Sequence, residues 1–310
     1  MITPPWLSAL MTDPQVTDIC VNGGRSCFFD RGNGMEAFTF EWATDDFRLW
    51  VLHQISTAGK SWDAKNPFLD AVLASGHRLH VTFPPLSRLG ILLSLRRLPS
   101  TEPTAQNNNR WSSSPLYPLV RDAVIRGDTV LISGATGSGK TTLANDLLER
   151  VPSHERILAL EDTSELRPHH PHFINLESRP PNADGLGEVS IRTLLKQSLR
   201  MRPDRIILGE CRGGEVLDLL QLLNTGHRGA LATLHAHSPR DALRRVELLC
   251  LLHGQGTIPG TVIRDLLVSG VQWIVQVGRR GSERKIIELQ KVEGREGDTI
   301  LLRPMIQIVG

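Results

Sequence analysis

Apolar positions along this 310-residue chain fall into two textures separated by a polar stretch. In the first hundred residues, short apolar runs at 18–22, 27–30, 79–83 and 91–95 are broken by glycine and proline turns, a pattern that predicts strands. A helix-compatible stretch at 45–59 lies among them, so the texture predicts a small α+β domain. Beyond residue 116, apolar segments at 130–132, 157–160, 206–208, 230–234 and 273–277 alternate with amphipathic ones. That alternation predicts an α/β domain with a mainly parallel sheet and helices on its faces. Between the two, residues 99–115 hold three prolines, an asparagine run and a serine run, the composition of a linker. The expected organisation is an N-terminal domain at 1–98, a linker at 99–115 and a second domain at 116–310, without internal repeats.

Composition narrows the classes without naming one. Hydrophobic residues at 40% and charged residues at 22% are ordinary for a globular chain. A net charge of +2 with no dense basic run gives no case for direct nucleic-acid binding, and none is expected. The longest strongly apolar run, 89–95, is far short of a membrane span, and residues 1–18 lack the basic and apolar regions of a signal peptide. A cytoplasmic protein is expected. Cys20, Cys27, Cys211 and Cys250 form no C-x-x-C pair, which argues against a disulfide framework or a tetracysteine zinc site.

Candidate chemistry sits where apolar strands of the second domain end. After the first of them come Gly134, Ala135, Thr136, Gly137, Ser138, Gly139, Lys140, Thr141 and Thr142, a glycine-rich turn opening into a helix. Backbone N–H groups of such a turn and the positive helix end cradle phosphates, Lys140 reaches the β/γ-phosphates of a nucleotide, and the Thr141 hydroxyl faces Mg²⁺. The next strand delivers Glu161, Asp162 and Glu165, carboxylates able to hold Mg²⁺ through water or to orient an attacking water. A third ends in Gly209-Glu210-Cys211-Arg212, where Gly209 replaces the aspartate usual in a Walker B strand. Glu210 is the candidate for polarising the hydrolytic water, and metal coordination falls on Thr141 with help from Glu210 or the Glu161/Asp162 pair. The fourth carries His227, Thr233, His235 and His237, with His235 placed to contact a γ-phosphate. Neither these histidines nor His169, His170 and His172, which read as a loop, match a zinc spacing.

Taken in order, these four motifs resemble the secretion-superfamily traffic ATPases, the motors of type II and type IV secretion, conjugation and type IV or tight-adherence pili. The resemblance covers nearly the whole chain, and the block 222–236 around the histidines is its most specific part. It implies a RecA-like P-loop NTPase domain preceded by a smaller α+β, PAS-like domain. It also implies that Arg78 and Arg96 reach the nucleotide, with Arg97 as the competing choice, neutralising charge on the transferred phosphoryl group. A homo-oligomeric ring, expected to be a hexamer, would act at the cytoplasmic face of the inner membrane, recruited by a platform or secretion-channel protein. The short N-terminal region and the missing tetracysteine insert place the chain nearest the conjugation and tight-adherence branches. His237 departs from the asparagine common in those branches. Two rival readings stay open: a RecA-like DNA translocase or helicase, and an ATP-gated assembly scaffold with little turnover. A regulatory GTPase and a transporter cassette are disfavoured, because the Asn-Lys-x-Asp and Leu-Ser-Gly-Gly-Gln patterns are absent.

Overall fold

The computed structural model describes residues 3–32, 34–40, 42–65, 67–97, 111–181, 186–254, 258–280 and 283–305. Contacts divide the chain into a first unit built on Met1–Ser100 and a second built on Thr101–Pro181 and Gly187–Gly310. Most of the expected linker, 99–110, lies outside the described residues. Its end does not behave as linker: Trp111 is 2% exposed and packs into the core of the second unit. Composition alone could not show this, because one tryptophan among serines and asparagines leaves the average polar.

The first unit runs α1 (Pro5–Thr12), β1 (Asp18–Asn22), β2 (Ser26–Asp30), β3 (Met35–Phe38), α2 (Thr44–Thr57), β4 (Phe68–Val72), β5 (His77–Thr82) and β6 (Leu92–Arg97). Its six strands form one antiparallel sheet in the order β3-β2-β1-β6-β5-β4. Burial alternates along β1, β2 and β5, so one face meets the core while the other stays open. Leu7 and Leu10 of α1 and Phe47, Trp50, Val51 and Ile55 of α2 join that core, the latter at the spacing of one helical face. Strands β3 and β4 and helix α1 escaped the sequence pattern. Both strands lie at sheet edges and show little or no buried alternation, which removes the signal that pattern reading needs.

The second unit runs α3 (Tyr117–Arg126), β7 (Val130–Ser133), α4 (Lys140–Leu148), β8 (Ile157–Glu161), β9 (Phe173–Glu177), α5 (Ile191–Ser198), β10 (Arg205–Leu208), α6 (Glu215–Asn224), β11 (Leu231–Leu234), α7 (Pro239–His253), α8 (Gly260–Gly270), β12 (Trp273–Arg280), β13 (Glu283–Glu296) and β14 (Thr299–Pro304). Eight strands order as β14-β13-β12-β7-β11-β10-β8-β9, and the six from β12 to β9 are parallel. Strands β7, β8, β10 and β11 are buried at every position, as expected when helices cover both faces. One helical layer packs α3 and α4 on the sheet, and the other packs α5 to α8. The fold is therefore the expected α/β class with a mainly parallel sheet. Strands β13 and β14 add an antiparallel extension at the β12 edge. Parallel order brings the carboxyl ends of β7, β11, β10 and β8 to one rim, where ligands bind in open α/β sheets.

Candidate functional site

The loop 134–139 leaves β7 and turns into α4 at that rim. Only glycine fits its first position, since a Cβ on Gly134 would lie 2.5 Å from both Ser138 Oγ and the Val277 carbonyl. Gly139 takes φ +100°, a conformation that L side chains rarely adopt, and its Cβ position faces Trp111 and Arg284. No side chain caps the N-terminus of α4, which leaves the amides of its first turn for an anion. Among the described residues the buried Ser138 hydroxyl has no hydrogen-bond partner, a second sign that this cradle is shaped for a ligand.

Lys140 is 8% exposed, and its ammonium donates to the carbonyls of Gly134 and Ala135, each at 3.1 Å, and contacts His235 Nδ1 at 3.2 Å. Removing an ammonium from water costs several kcal/mol unless acceptors replace the lost hydration, which these three atoms do. An ammonium only donates, so His235 Nδ1 accepts and the ring proton sits on Nε2, 3.0 Å from Glu210 Oε1. Burial and the neighbouring Lys140 charge lower the His235 pKa, against the opposing pull of Glu210, favouring this neutral ring. The other Glu210 oxygen accepts from Arg212 at 2.5 Å, and Arg212 reaches Asp162 at 3.6 Å. A continuous polar chain, Lys140–His235–Glu210–Arg212–Asp162, thus crosses the ends of β7, β11, β10 and β8.

The acidic segment after β8 splits by orientation. Asp162 is exposed and accepts from Ser178 Oγ at 2.9 Å. Glu165 Oε2 lies 3.4 Å from Thr141 Oγ1, bringing a carboxylate to the hydroxyl at the start of α4. Glu161 instead points inward at 4% exposure, receiving the amides of Glu165 and Leu166 and the Asn175 side chain. Burial pushes its pKa up to about 7, opposed by those same hydrogen bonds. Thr142 is half-buried in the first turn of α4. Hydroxyl and carboxylate oxygens at this rim suit a hard cation such as Mg²⁺. Among the described residues, no three acidic, histidine or cysteine side chains form a ready-made metal cage. An oxygen set of this kind fits a cation that arrives with phosphate and completes its shell with water.

Arg78 and Arg96 lie in the first unit as directly opposed residues of β5 and β6. Arg78 faces Asp70 and Arg96 faces Asp18, each at 3.8 Å. Arg97 points elsewhere, donating to the carbonyls of Val16, Met11 and Asp13 at 3.0, 2.5 and 2.7 Å. Those bonds commit Arg97 to joining β6 to the segment after α1. His237 is exposed, and His227 contacts Thr225 at 3.4 Å, so the structure gathers neither into the polar chain. Sequence reading missed Asn175 and named Thr233 without giving it a role. The Thr233 hydroxyl donates to the Gly209 carbonyl at 2.5 Å and holds the β10 end that carries Glu210. Both roles depend on partners across parallel strands, for which spacing along the chain holds no signal.

A glycine turn before an uncapped helix, a buried lysine and a strand-end glutamate on a parallel sheet define a P-loop NTPase domain of the RecA-like class. Within that class, the chain belongs to the type II/IV secretion system protein family, whose model matches residues 9–278. A Mycobacterium tuberculosis protein named as a conjugal transfer protein is 36% identical over 301 residues, covering 94% of this chain and 85% of its own. The type IV secretion system protein PtlH of Bordetella pertussis is 32% identical over 324 residues, covering 94% of this chain and 93% of its own. Among solved structures, the VirB11 ATPase of the Brucella suis type IV secretion system aligns with TM-score 0.51 at 28% identity, over 92% of each chain.

Proposed function

We propose that the protein is a Mg²⁺-dependent ATPase that assembles as a ring, a hexamer, and powers a type IV secretion, conjugation or pilus machine at the inner membrane. The observation that carries this reading is the Lys140–His235–Glu210–Arg212 chain at the mouth of the phosphate loop. On nucleotide entry, Lys140 exchanges the Gly134 and Ala135 carbonyls for β/γ-phosphate oxygens. Water attacks the γ-phosphorus in line, its bond forming as the bond to the ADP oxygen breaks, and Glu210 accepts the proton. His235, relieved of Lys140, holds Glu210 through Nε2–H, and a second proton taken up on Nδ1 lets it donate to a γ-phosphate oxygen. A bound Mg²⁺, taken by Thr141 with water-bridged Asp162, Glu165 and Glu210, would neutralise phosphate charge. Arg78 and Arg96 supply positive charge to the transferred phosphoryl group when subunits close. The names of the relatives support the conjugation and type IV secretion assignment. No helix among the described residues is long and apolar enough to cross a membrane, which supports recruitment by a membrane partner.

Steady-state ATP hydrolysis across a range of protein concentrations tests the proposal. Specific activity should rise with concentration and fall by about 100-fold or more in Glu210→Gln, the scale expected on losing a general base, while nucleotide binding persists. Wild-type activity no higher than the variant's at every concentration would refute an autonomous motor.

A further inference from the structure

Gly209 occupies the position where a Walker B strand usually presents aspartate, and the structure gives a steric reason. A Cβ built on Gly209 falls 2.5 Å from Glu161 Cγ and 3.0 Å from Glu161 Oε1. The side chain from the end of β8 therefore fills the volume that an aspartate on the end of neighbouring β10 would need. Once there, its carboxylate is held by two backbone amides and the Asn175 side chain. Oε1 accepts from the Glu165 amide at 3.2 Å and the Leu166 amide at 3.1 Å, and Oε2 accepts from Leu166 at 3.2 Å and from Asn175 Nδ2. The single Leu166 N–H is shared between both oxygens, so three donors hold a group that offers about four lone-pair sites. Asn175 is set on β9 opposite Ala159, two residues before Glu161 on β8, so both sheet neighbours of β8 shape this pocket.

We propose that Glu161 is a positioning residue rather than a ligand of the cation. From the space of the missing aspartate it clamps the turn 162–166 and so sets Glu165 against Thr141 at the Mg²⁺ side of the phosphate cradle. Gly209 is glycine because that clamp must pass beside it. The assignment rests on the ATPase reading for what the clamp serves, but not for the clamp itself. It separates two roles that adjacent carboxylates in one acidic segment leave indistinguishable by spacing: Glu161 shapes the segment, and its neighbours face the metal.

Two substitutions discriminate. Glu161→Gln keeps an acceptor oxygen for the Glu165 and Leu166 amides, and Asn175 can turn its own amide to meet the new NH₂; Glu161→Met fills the volume but accepts nothing. In nucleotide-free protein, hydrogen exchange at the Glu165 and Leu166 amides should accelerate about 10-fold or more in the Met variant and stay within about 3-fold of wild type in the Gln variant. The Mg²⁺ concentration for half-maximal turnover should follow the same order, since only the Met variant releases Glu165. A ligand role demands the opposite: Gln, having lost the charge, would raise the Mg²⁺ requirement as much as Met does, with amide protection intact in Gln. That result would overturn the proposal, and the Gln variant alone delivers it if the Met variant does not fold. Should wild-type protein hydrolyse nothing, the ATPase reading falls while amide exchange still decides the clamp.

Discussion

His77 opens β5 with its ring 4% exposed and Nδ1 3.1 Å from Ser75 Oγ. Burial, helped by the nearby Arg97 charge, lowers its pKa from 6.5 despite an opposing hydrogen bond to the Ser75 backbone. The folded ring therefore stays neutral where the unfolded one takes up a proton. Its stabilising contribution is complete above about pH 6.5 and is lost as pH falls from there through the lowered folded value. Thermal unfolding of the first unit, followed by fluorescence of Trp6, Trp42, Trp50 and Trp62, should show a lower Tm at pH 5.5 than at pH 7.5. Histidine 77 replaced by glutamine, His77→Gln, should narrow that difference, because glutamine keeps a polar contact for Ser75 and does not titrate. An unchanged difference would place the pH response in other groups. Other buried titratable groups have separate roles: Tyr117 donates to Asp146 between α3 and α4, and burial pushes both of their pKa values up.

At the scale of elements, the turn between β1 and β2 shows how one position fixes a larger piece. Gly23 takes φ +61°, donates its amide to the Ile91 carbonyl at 2.8 Å, and leaves no room for a Cβ, which would sit 2.0 Å from the Leu89 carbonyl oxygen. That contact is backbone against backbone, so no rotamer change relieves it. Gly23→Ala should destabilise the first unit by about 3 kcal/mol, combining strain at positive φ with displacement of the segment before β6, measurable as a fall in denaturation midpoint. The second unit carries a comparable constraint at Gly209, but there the neighbour is the Glu161 side chain, with consequences for the site rather than for the sheet. These cases mark what was legible in the sequence. The phosphate loop with Lys140 could be read because its chemistry is written in contiguous residues, and Glu210 and His235 because they stand just past the ends of strands buried on both faces. The parallel sheet followed from alternation of apolar runs. Edge strands β3 and β4 carried no such alternation, and the hairpin β13–β14 follows the last parallel strand with an antiparallel logic of its own. Asn175, Thr233 and Trp111 act through partners far along the chain, and the opposite fates of Arg96 and Arg97 turn on strand pairing, which decides the face each residue takes.

At the scale of the whole molecule, the proposed mechanism divides its charges between two folded units with separate cores. Lys140, Glu210 and His235 sit on the second, while Arg78 and Arg96 stand side by side on the open face of the first. Arg96 is 52% exposed and faces Asp18 at 3.8 Å, and Arg78 faces Asp70 at the same distance. Exposed ion pairs at such distances contribute about 0–1 kcal/mol, so parting Arg96 from Asp18 to meet a phosphate costs little. If the arginines complete a site on a neighbouring subunit, activity can be rebuilt from two inactive chains. Lys140→Ala removes the phosphate contact but keeps the arginines; Arg78→Ala combined with Arg96→Ala keeps the phosphate loop but removes its completion. Each variant alone should hydrolyse ATP at least about 100-fold more slowly than wild type. Mixed in equal amounts under conditions where subunits exchange, the pair should regain about a quarter of wild-type activity. In a random ring, half of the neighbours supply arginines, and they are useful only to the half of the sites that retain Lys140. Rings that mix without regaining activity would assign the arginines to the site of their own chain, and hydrolysis would then close each subunit upon itself instead of locking it to the next.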